Sequence, residues 1–189
     1  MSVIVLEGPE GVGKTTLARN VIDYALTHKT HKHVAYHHHV AGDSVAMVLN
    51  VEMLMYTGSR QVSVLHIVDR WWLSEFVYSK LLPRKSTLDC TMAQAQEKWG
   101  DPILEAGGKL IILDGVHPTV LAERRKDDDL PVDPKDEVCE YAQAPTGWIR
   151  SRANLVFSDV AKWLLDEKAL FHMEGPRANI RPLHIPEGE

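Results

Sequence analysis

Residues 8–15 read Gly8-Pro9-Glu10-Gly11-Val12-Gly13-Lys14-Thr15 and match in full the G-x-x-x-x-G-K-[ST] pattern of phosphate-binding loops. Glycines in such a loop allow backbone conformations in which successive N–H groups point at phosphate oxygens. The pattern assigns the lysine to the β- and γ-phosphates and the threonine hydroxyl to Mg²⁺. We therefore expect a nucleoside triphosphate, ATP, to be held by Gly8, Glu10, Gly11, Val12, Gly13, Lys14, Thr15 and Thr16.

The flanks of this loop carry the strand and the helix that the chemistry requires. Residues 2–6 form a short β-branched run that is typical of a buried strand, and apolar residues recur at helical spacing after the loop. A helix over residues 14–27 would direct its positive end at the loop, which favours a bound anion.

Strand-like and helix-like segments alternate along the rest of the chain. We predict strands over 34–40, 62–68, 109–113 and 169–173, and helices over 44–60, 71–82, 91–105, 118–126 and 148–167. This alternation predicts an α/β fold, a three-layer α/β/α P-loop architecture around a five-stranded parallel sheet. We expect one domain over 1–189, with a charged lid over about 123–136 and an irregular tail over 174–189.

The composition is that of an ordinary globular protein. The chain has 189 residues, of which 44% are hydrophobic and 25% are charged. A net charge of −5 gives no general attraction to nucleic acid, and two cysteines without metal-type spacing are expected to be reduced thiols. Because the first strand is predicted to begin at Ser2 and no apolar run reaches membrane-spanning length, we expect a cytoplasmic protein without membrane contact.

Histidines are concentrated early in the chain, with six of the ten falling between His28 and His39. A metal cluster is one interpretation, although the segment lacks the helical i, i+4 pair of a metalloprotease motif. Solvated turn residues and polar strand ends are the other interpretation. The sequence leaves both open.

A second motif follows the apolar run at 62–68. Asp69 closes this run, and in open α/β sheets ligands bind at the carboxyl ends of strands. An acid in this position of a P-loop fold holds Mg²⁺, directly or through water, so Thr15 and Asp69 are the candidate metal ligands. The alternative is that Asp69 caps the helix that begins near Trp71.

Several segments together resemble the thymidylate kinases. Residues 7–16 are similar to the phosphate loop of that family, which carries a carboxylate at the position of Glu10. The run Asp69-Arg70-Trp71-Trp72-Leu73-Ser74, followed by Tyr78, resembles the family's Asp-Arg-aromatic motif. The resemblance continues in Leu113-Asp114, in Pro118 and in Arg124-Arg125, and it runs discontinuously over about residues 3–168.

This resemblance implies a nucleoside monophosphate kinase that uses Mg²⁺ and ATP and acts on dTMP or a related or modified deoxynucleotide. It implies catalytic roles for Lys14, Arg70, Arg124 and Arg125. It also implies that the acceptor nucleotide is bound by Glu10, Arg70, Trp71, Ser74 and Tyr78. Members of the family are often homodimers, so the resemblance implies a dimer as well.

Other functions stay open at this point. The family has an Arg-Glu-Pro-like segment where this chain has His37-His38-His39. A kinase of a hydroxyl group, on a deoxynucleoside or on a hydroxymethylated pyrimidine in DNA, would need a carboxylate base. The candidate bases are Glu10, Asp43 and Glu75, and Arg84 and Lys85 would line a DNA groove. A nucleotide-dependent switch protein is the third alternative.

Two of the proposed site features also have ordinary structural interpretations. The basic run Arg124-Arg125-Lys126 is equally typical of a solvated helix end, where positive charge is favourable. Trp71 is a candidate for stacking on a base and equally a candidate for the hydrophobic core.

Overall fold

The computed structural model describes residues 3–39, 64–126, 131–152 and 165. Its strands are β1 (Val3–Glu7), β2 (His33–His38), β3 (Val64–Asp69), β4 (Lys109–Asp114) and β5 (Ile149–Arg152). Its helices are α1 (Lys14–Thr27), α2 (Trp72–Leu81), α3 (Met92–Ala95), α4 (Asp101–Glu105), α5 (Pro118–Arg124) and α6 (Pro134–Tyr141), with a π-helical stretch, Gln96–Gly100, between α3 and α4.

The five strands form one parallel sheet in the order β2-β3-β1-β4-β5. The predicted fold class, a five-stranded parallel α/β architecture, is confirmed. The identity of the fifth strand differs from the prediction, because β5 pairs with β4 through Ile111 and Ile149 in a segment that we expected to be helical from Trp148. The prediction is wrong there because β5 has a single apolar residue and gives no strand pattern of its own. The apolar residues that follow it recur at helical spacing, which led us to predict a helix that included β5.

Both faces of the sheet are covered, as a parallel sheet requires. Successive side chains of β1 point to opposite faces, so Val3 and Val5 lie in one hydrophobic cluster while Ile4 and Leu6 lie in another. The first cluster includes the aromatic residues of the α2 region, and the second is closed by Leu17 and its neighbours on α1. The carboxyl ends of the strands therefore emerge between two packed helical layers.

The helix predicted over 91–105 is present but irregular. A capping box between Thr91 and Gln94 begins it, and the π-helical stretch interrupts it after Ala95. Pro102, in the first turn of α4, has no backbone N–H to donate, so the α-helical hydrogen bond to the carbonyl four residues earlier cannot form there. The side chain of Gln96 is anchored here, since it donates to Asp101 (2.6 Å) and accepts from the Trp148 indole (2.9 Å).

The segment predicted to be a lid contains the start of a helix. Helix α6 begins at Pro134, inside the predicted range 123–136, and Asp133 caps it by accepting from the Lys135 N–H (2.8 Å). An aspartate before a proline at the first helical position is a helix start signal, which the charge of the segment obscured. The lid over about 123–136 stays a prediction, and the structure adds that its last residues, 134–136, are helical.

Some expectations fall outside the described residues, namely the helix over 44–60, the strand over 169–173 and the tail over 174–189. The single domain over 1–189 stays a prediction. Over the described ranges, every helix is too short or too polar to cross a lipid bilayer.

Gly8 supplies the first test of this architecture. Its φ of +136° is rarely adopted by other residues, and a Cβ built on it would lie 2.3 Å from the Leu113 carbonyl oxygen on β4. We expect Gly8→Ala to lower the free energy of unfolding by at least about 1–3 kcal/mol, measured by urea denaturation, because the strain adds to a clash with backbone.

Gly11→Ala is the matched control in the same loop. Its φ is also positive (+73°), but its Cβ would meet nothing closer than 3.5 Å. A smaller loss is expected there, and equal losses for the two variants would contradict the close packing of Gly8 against β4.

Candidate functional site

The register between β1 and β3 brings the phosphate loop next to Asp69. Leu6 on β1 is paired with Asp69 on β3, and the Arg70 N–H donates to the Leu6 carbonyl (2.9 Å). The Thr15 hydroxyl, at the start of α1, donates to Asp69 Oδ2 at 2.9 Å. The two candidate metal ligands therefore lie in direct contact.

Asp69 is fully buried, and its two oxygens differ in their surroundings. Oδ2 also accepts from the Tyr36 hydroxyl (2.7 Å) and lies 3.3 Å from His38 Nδ1, both on β2. Oδ1 has no hydrogen-bond partner among the described residues. A buried carboxylate oxygen beside a threonine hydroxyl is the donor set that suits a hard cation such as Mg²⁺.

Tyr36 is a stable donor to this carboxylate. Partial burial, together with the hydrogen bond to Asp69 and its negative charge, raises the pKa of Tyr36 to about 12. The phenol therefore keeps its proton at physiological pH and stays a hydrogen-bond donor to Asp69.

Lys14 lies inside the loop that precedes it. Its ammonium donates to the carbonyls of Gly8 (2.9 Å) and Pro9 (2.8 Å), and the residue is buried. Burial lowers the pKa of Lys14, while the nearby charges of Asp69 and Glu137 oppose this effect. The ammonium of Lys14 therefore lies inside the loop, at the position where the sequence motif places the phosphates.

The start of α1 completes the loop. Gly13 is in the left-handed region (φ 103°), and its carbonyl accepts the first helical hydrogen bond from the Leu17 N–H (3.0 Å). Thr15 and Thr16 follow on the exposed side of the first turn, whereas Val12 is buried in the core. The helix axis therefore begins at the loop, with its positive end facing the site.

Arg70 lies beside the loop in an unusual backbone conformation. Its φ is +69°, and its side chain is buried. The guanidinium donates to the Tyr78 hydroxyl (2.8 Å) and forms an ion pair with Glu10 of the loop. The acid of the loop and the arginine of the second motif thus contact each other.

Glu7, the last residue of β1, supplies the cap that α2 lacks. Its carboxylate accepts from the backbone N–H groups of Trp71 (2.7 Å) and Ser74 (3.2 Å) and from the Ser74 hydroxyl. The Tyr141 hydroxyl lies 3.5 Å away. Burial raises the pKa of Glu7, and the hydrogen bonds from Ser74 and Trp71 only partly offset this effect.

The residues expected to bind the acceptor are mostly enclosed. Trp71 is only 2% exposed and its indole belongs to the core, which favours the structural interpretation of this residue. Ser74 and Tyr78 are buried as well, and their hydroxyls hold Glu7 and Arg70. Arg70 and Glu10 are the members of this set that lie next to the phosphate loop.

The two arginines near the end of α5 contact the backbone of the loop. Arg124 is exposed and donates to the Gly11 carbonyl (2.9 Å). Arg125 is buried, donates to the Glu10 carbonyl through Nε (3.0 Å) and Nη2 (2.8 Å), and pairs with Glu137. Its Nη1 is also buried and has no partner within the described ranges. Arg124 and Arg125 therefore both contact the phosphate loop, and the burial of Arg125 differs from what a solvated helix end would show.

Sequence reasoning missed four side chains that shape the site: Glu7, Tyr36, His38 and Glu137. Glu7 and His38 are the last residues of their strands, so the rule that led to Asp69 could have found them, and Tyr36 lies two residues before the end of β2. Glu137 lies on α6, and its spacing of four residues from Tyr141 was the only local signal of a buried face.

The histidines between His28 and His39 are separated in the structure. His28 stacks on Tyr24, with ring centroids 4.0 Å apart. His37 on β2 lies against His66 on β3, with Nε2 and Nδ1 3.2 Å apart, and burial lowers the pKa of both. Among the described residues, no three His, Cys, Asp or Glu side chains converge in a way that could hold a metal ion.

A strand, a glycine-rich loop and a helix on an all-parallel sheet define the class of nucleotide-binding α/β folds. Among solved structures, the chain is similar to the YorR protein of Bacillus subtilis, which was crystallised in complex with phosphorylated GDP. The two are 21% identical, the alignment covers 92% of this chain and 99% of that chain, and the TM-score is 0.60. This similarity establishes the shared fold.

No family model matches the chain, and no curated protein matches it in sequence. The assignment to the thymidylate kinases therefore stays a prediction from the motifs.

Glu7 generates a pH-dependent prediction. Its pKa in the folded state lies above the ordinary value of 4.5, so the native state binds this proton more tightly than the unfolded chain. The stability linked to Glu7 is present at low pH and is lost as the pH rises from about 4.5 through the folded pKa. Relative to the wild type, Glu7→Gln should gain stability over this range, by about 1.4 kcal/mol per unit of pKa shift, in urea titrations.

Glu75→Gln is the control of opposite sign. Burial raises the pKa of Glu75, but hydrogen bonds from Arg84 and Thr87 outweigh burial and bring it below the usual value. The stability linked to Glu75 is present above the unfolded pKa and is lost at lower pH, so this variant should lose relative stability as the pH rises towards 4.5. The same pH trend in both variants would contradict the assignment for Glu7.

Proposed function

We propose that the protein is an ATP-dependent kinase of a deoxynucleoside monophosphate, dTMP or a related modified nucleotide, that produces the diphosphate and ADP. The observation that carries this proposal is the position of Arg70, which is buried beside the phosphate loop and bound to Glu10 and Tyr78. A guanidinium fixed next to a triphosphate site suits recognition of a second phosphate, because its planar fork can bind two phosphate oxygens at once.

The carboxylates near the site favour a phosphate acceptor over a hydroxyl acceptor. A hydroxyl needs a carboxylate that is free to take its proton, whereas a phosphate is already anionic at neutral pH. Glu75 has both oxygens bound by Arg84 (2.8 Å each), and its pKa lies below the usual value despite burial, which makes it a weak base. Glu10 is paired with Arg70. Asp43, the third candidate base, lies outside the described residues.

The same contact weighs against a DNA substrate. Arg84, which a DNA groove would use, is held by Glu75. The net charge of −5 also opposes the approach of a polyanion. A free nucleotide is therefore the acceptor that we propose.

In this mechanism the protein positions two phosphates and neutralises charge. An acceptor phosphate oxygen bonds to the γ-phosphorus as the bond from that phosphorus to the β,γ-bridging oxygen breaks, and ADP leaves. Lys14 binds the β- and γ-phosphates, Arg70 binds the acceptor phosphate, and Arg124 or Arg125 neutralises charge on the transferred group. Thr15 and Asp69 would hold Mg²⁺, which when bound neutralises phosphate charge.

The structural neighbour supports a nucleotide ligand. YorR was crystallised with phosphorylated GDP, and its chain aligns with nearly all of this one. Since that ligand is a guanine nucleotide, the acceptors tested should include guanine as well as thymine nucleotides, and GTP should be tested beside ATP as the donor.

The proposal is tested by incubating the protein with γ-labelled ATP or GTP, Mg²⁺ and a panel of acceptors, followed by separation of the products. The panel contains deoxynucleoside monophosphates, free deoxynucleosides and DNA with hydroxymethylated pyrimidines. We expect label in a nucleoside diphosphate. Lys14→Ala should abolish transfer, because it removes the ammonium that the loop places at the β- and γ-phosphates. Lys29→Ala, at an exposed position after α1, is the matched control.

Two other outcomes would contradict the proposal and indicate a different function. Label on a nucleoside or on DNA would identify a hydroxyl kinase. Release of label only as free phosphate would indicate a nucleotide-dependent switch protein.

Arg70 gives a second prediction for the same reaction. Arg70→Ala removes the charge-assisted hydrogen bonds to the acceptor phosphate, which contribute about 1.5–3 kcal/mol. We expect the KM for the acceptor to rise about 10- to 100-fold while the KM for ATP changes little, in steady-state kinetics. Because Arg70 is buried, thermal unfolding must be measured in parallel, and Arg70→Lys serves as the variant that keeps the charge. An unchanged acceptor KM in both variants would refute the role of Arg70.

A further inference from the structure

One residue of the phosphate loop, Glu10, is held through its backbone from both sides. Its N–H donates to Glu137 Oε1 (2.8 Å), and its carbonyl accepts from Arg125 Nε (3.0 Å) and Nη2 (2.8 Å). Arg125 and Glu137 form an ion pair with each other. The three residues thus make a closed ring of charge-assisted hydrogen bonds, here called the loop clamp.

The clamp is enclosed within the protein. Glu137 is 0% exposed and Arg125 is 7% exposed, so each charge depends on the other for compensation. Glu137 Oε1 also accepts from the Tyr78 hydroxyl, which in turn accepts from Arg70. The backbone of the loop is therefore connected to the guanidinium that we assign to the acceptor phosphate.

Arg124 differs from Arg125 in each of these respects. It is exposed and donates a hydrogen bond to the Gly11 carbonyl (2.9 Å). Its guanidinium can leave this contact at little cost, whereas moving Arg125 would leave Glu137 as an unpaired buried charge.

We propose that Arg125 and Glu137 are positioning residues that fix residue 10 of the phosphate loop, and that Arg124 is the arginine that contacts the transferred phosphoryl group. This assignment rests on the proposed kinase function. It gives the two arginines different roles, whereas the sequence left contact with the transferred phosphoryl group to either of them. The side chain of Glu10 pairs with Arg70, so a shift of its backbone would move the donor and acceptor sites relative to each other.

Three variants test the clamp. Glu137→Gln keeps the shape of the side chain but directs an amide N–H against the Arg125 guanidinium. Arg125→Lys keeps the charge but cannot offer the planar fork that bridges Glu10 and Glu137. The double variant Arg125→Met/Glu137→Met replaces the ion pair by apolar side chains, which is often neutral or stabilising for a buried pair.

The readouts separate positioning from stability. We expect kcat/KM for the acceptor to fall about 100-fold in all three variants, the size of effect that a displacement of about 1 Å produces. Mg·ADP binding, measured by calorimetry, should weaken about tenfold, equivalent to about 1.4 kcal/mol. The double variant should keep a melting temperature near that of the wild type and still show the kinetic loss. Hydrogen exchange of the Glu10 amide should accelerate in Glu137→Gln.

Glu140→Gln is the matched control on the same helix, because Glu140 pairs with Lys80 away from the loop. It should leave kcat/KM and Mg·ADP binding unchanged.

Several results would overturn the clamp. One is a wild-type kcat/KM in the stable double variant or in Arg125→Lys. Another is a wild-type kcat/KM, or wild-type exchange of the Glu10 amide, in Glu137→Gln. A third is a loss of kcat/KM in Glu140→Gln as large as that in Glu137→Gln. A wild-type protein that binds Mg·ADP but transfers no phosphoryl group would refute the proposed function alone, since the binding and exchange measurements still report on the clamp. A wild-type protein that does not bind Mg·ADP would overturn both proposals.

Discussion

The parallel register of three neighbouring strands determines where the charges of the site lie. β1 ends at Glu7, β3 ends at Asp69, and β2 ends at His38, which is in register with Asp69. Because strands in a parallel sheet all end at the same edge, these polar side chains emerge beside the loop that follows β1. A shift of one residue in β3 would turn Asp69 to the other face of the sheet and remove its contact with Thr15.

Buried charge is tolerated at this edge because nearly every charged atom has a partner. Glu7 is stabilised by donors from the first turn of α2, and Glu137 by Arg125, Tyr78 and the backbone of Glu10. Each of these carboxylates joins elements that are distant in sequence. The loop, α2 and α6 therefore form one hydrogen-bonded unit, and removing one partner would leave a charge without compensation.

The sequence predicted the parts of the protein that depend on local pattern. Residues 8–15 indicated the loop, and the apolar run before Asp69 indicated a buried strand that ends in an acid. The fold class followed from the alternation of strands and helices and is confirmed. Strand β5 was missed because tertiary pairing with β4 outweighed the local hydrophobic periodicity, and α6 was missed because the charge of its segment obscured the cap at Asp133.

The site was harder to predict, because its contacts join residues that are distant in sequence, 54 positions apart for Thr15 and Asp69 and 127 for Glu10 and Glu137. Nothing near Glu137 in the chain indicates that it contacts the backbone of Glu10, since that contact depends on how α6 packs in three dimensions. The burial of Trp71 and Arg70 was likewise set by packing. The roles of the site residues in catalysis stay predictions.

The left-handed backbone at Arg70 has a consequence for the evolution of the chain. Any side chain with a Cβ at φ +69° carries a conformational cost, and glycine would relieve it. Replacement by glycine would therefore ease the backbone while deleting the guanidinium that pairs with Glu10 and donates to the Tyr78 hydroxyl. Glycine at this position would therefore exchange backbone strain for the loss of a buried guanidinium that contacts the phosphate loop.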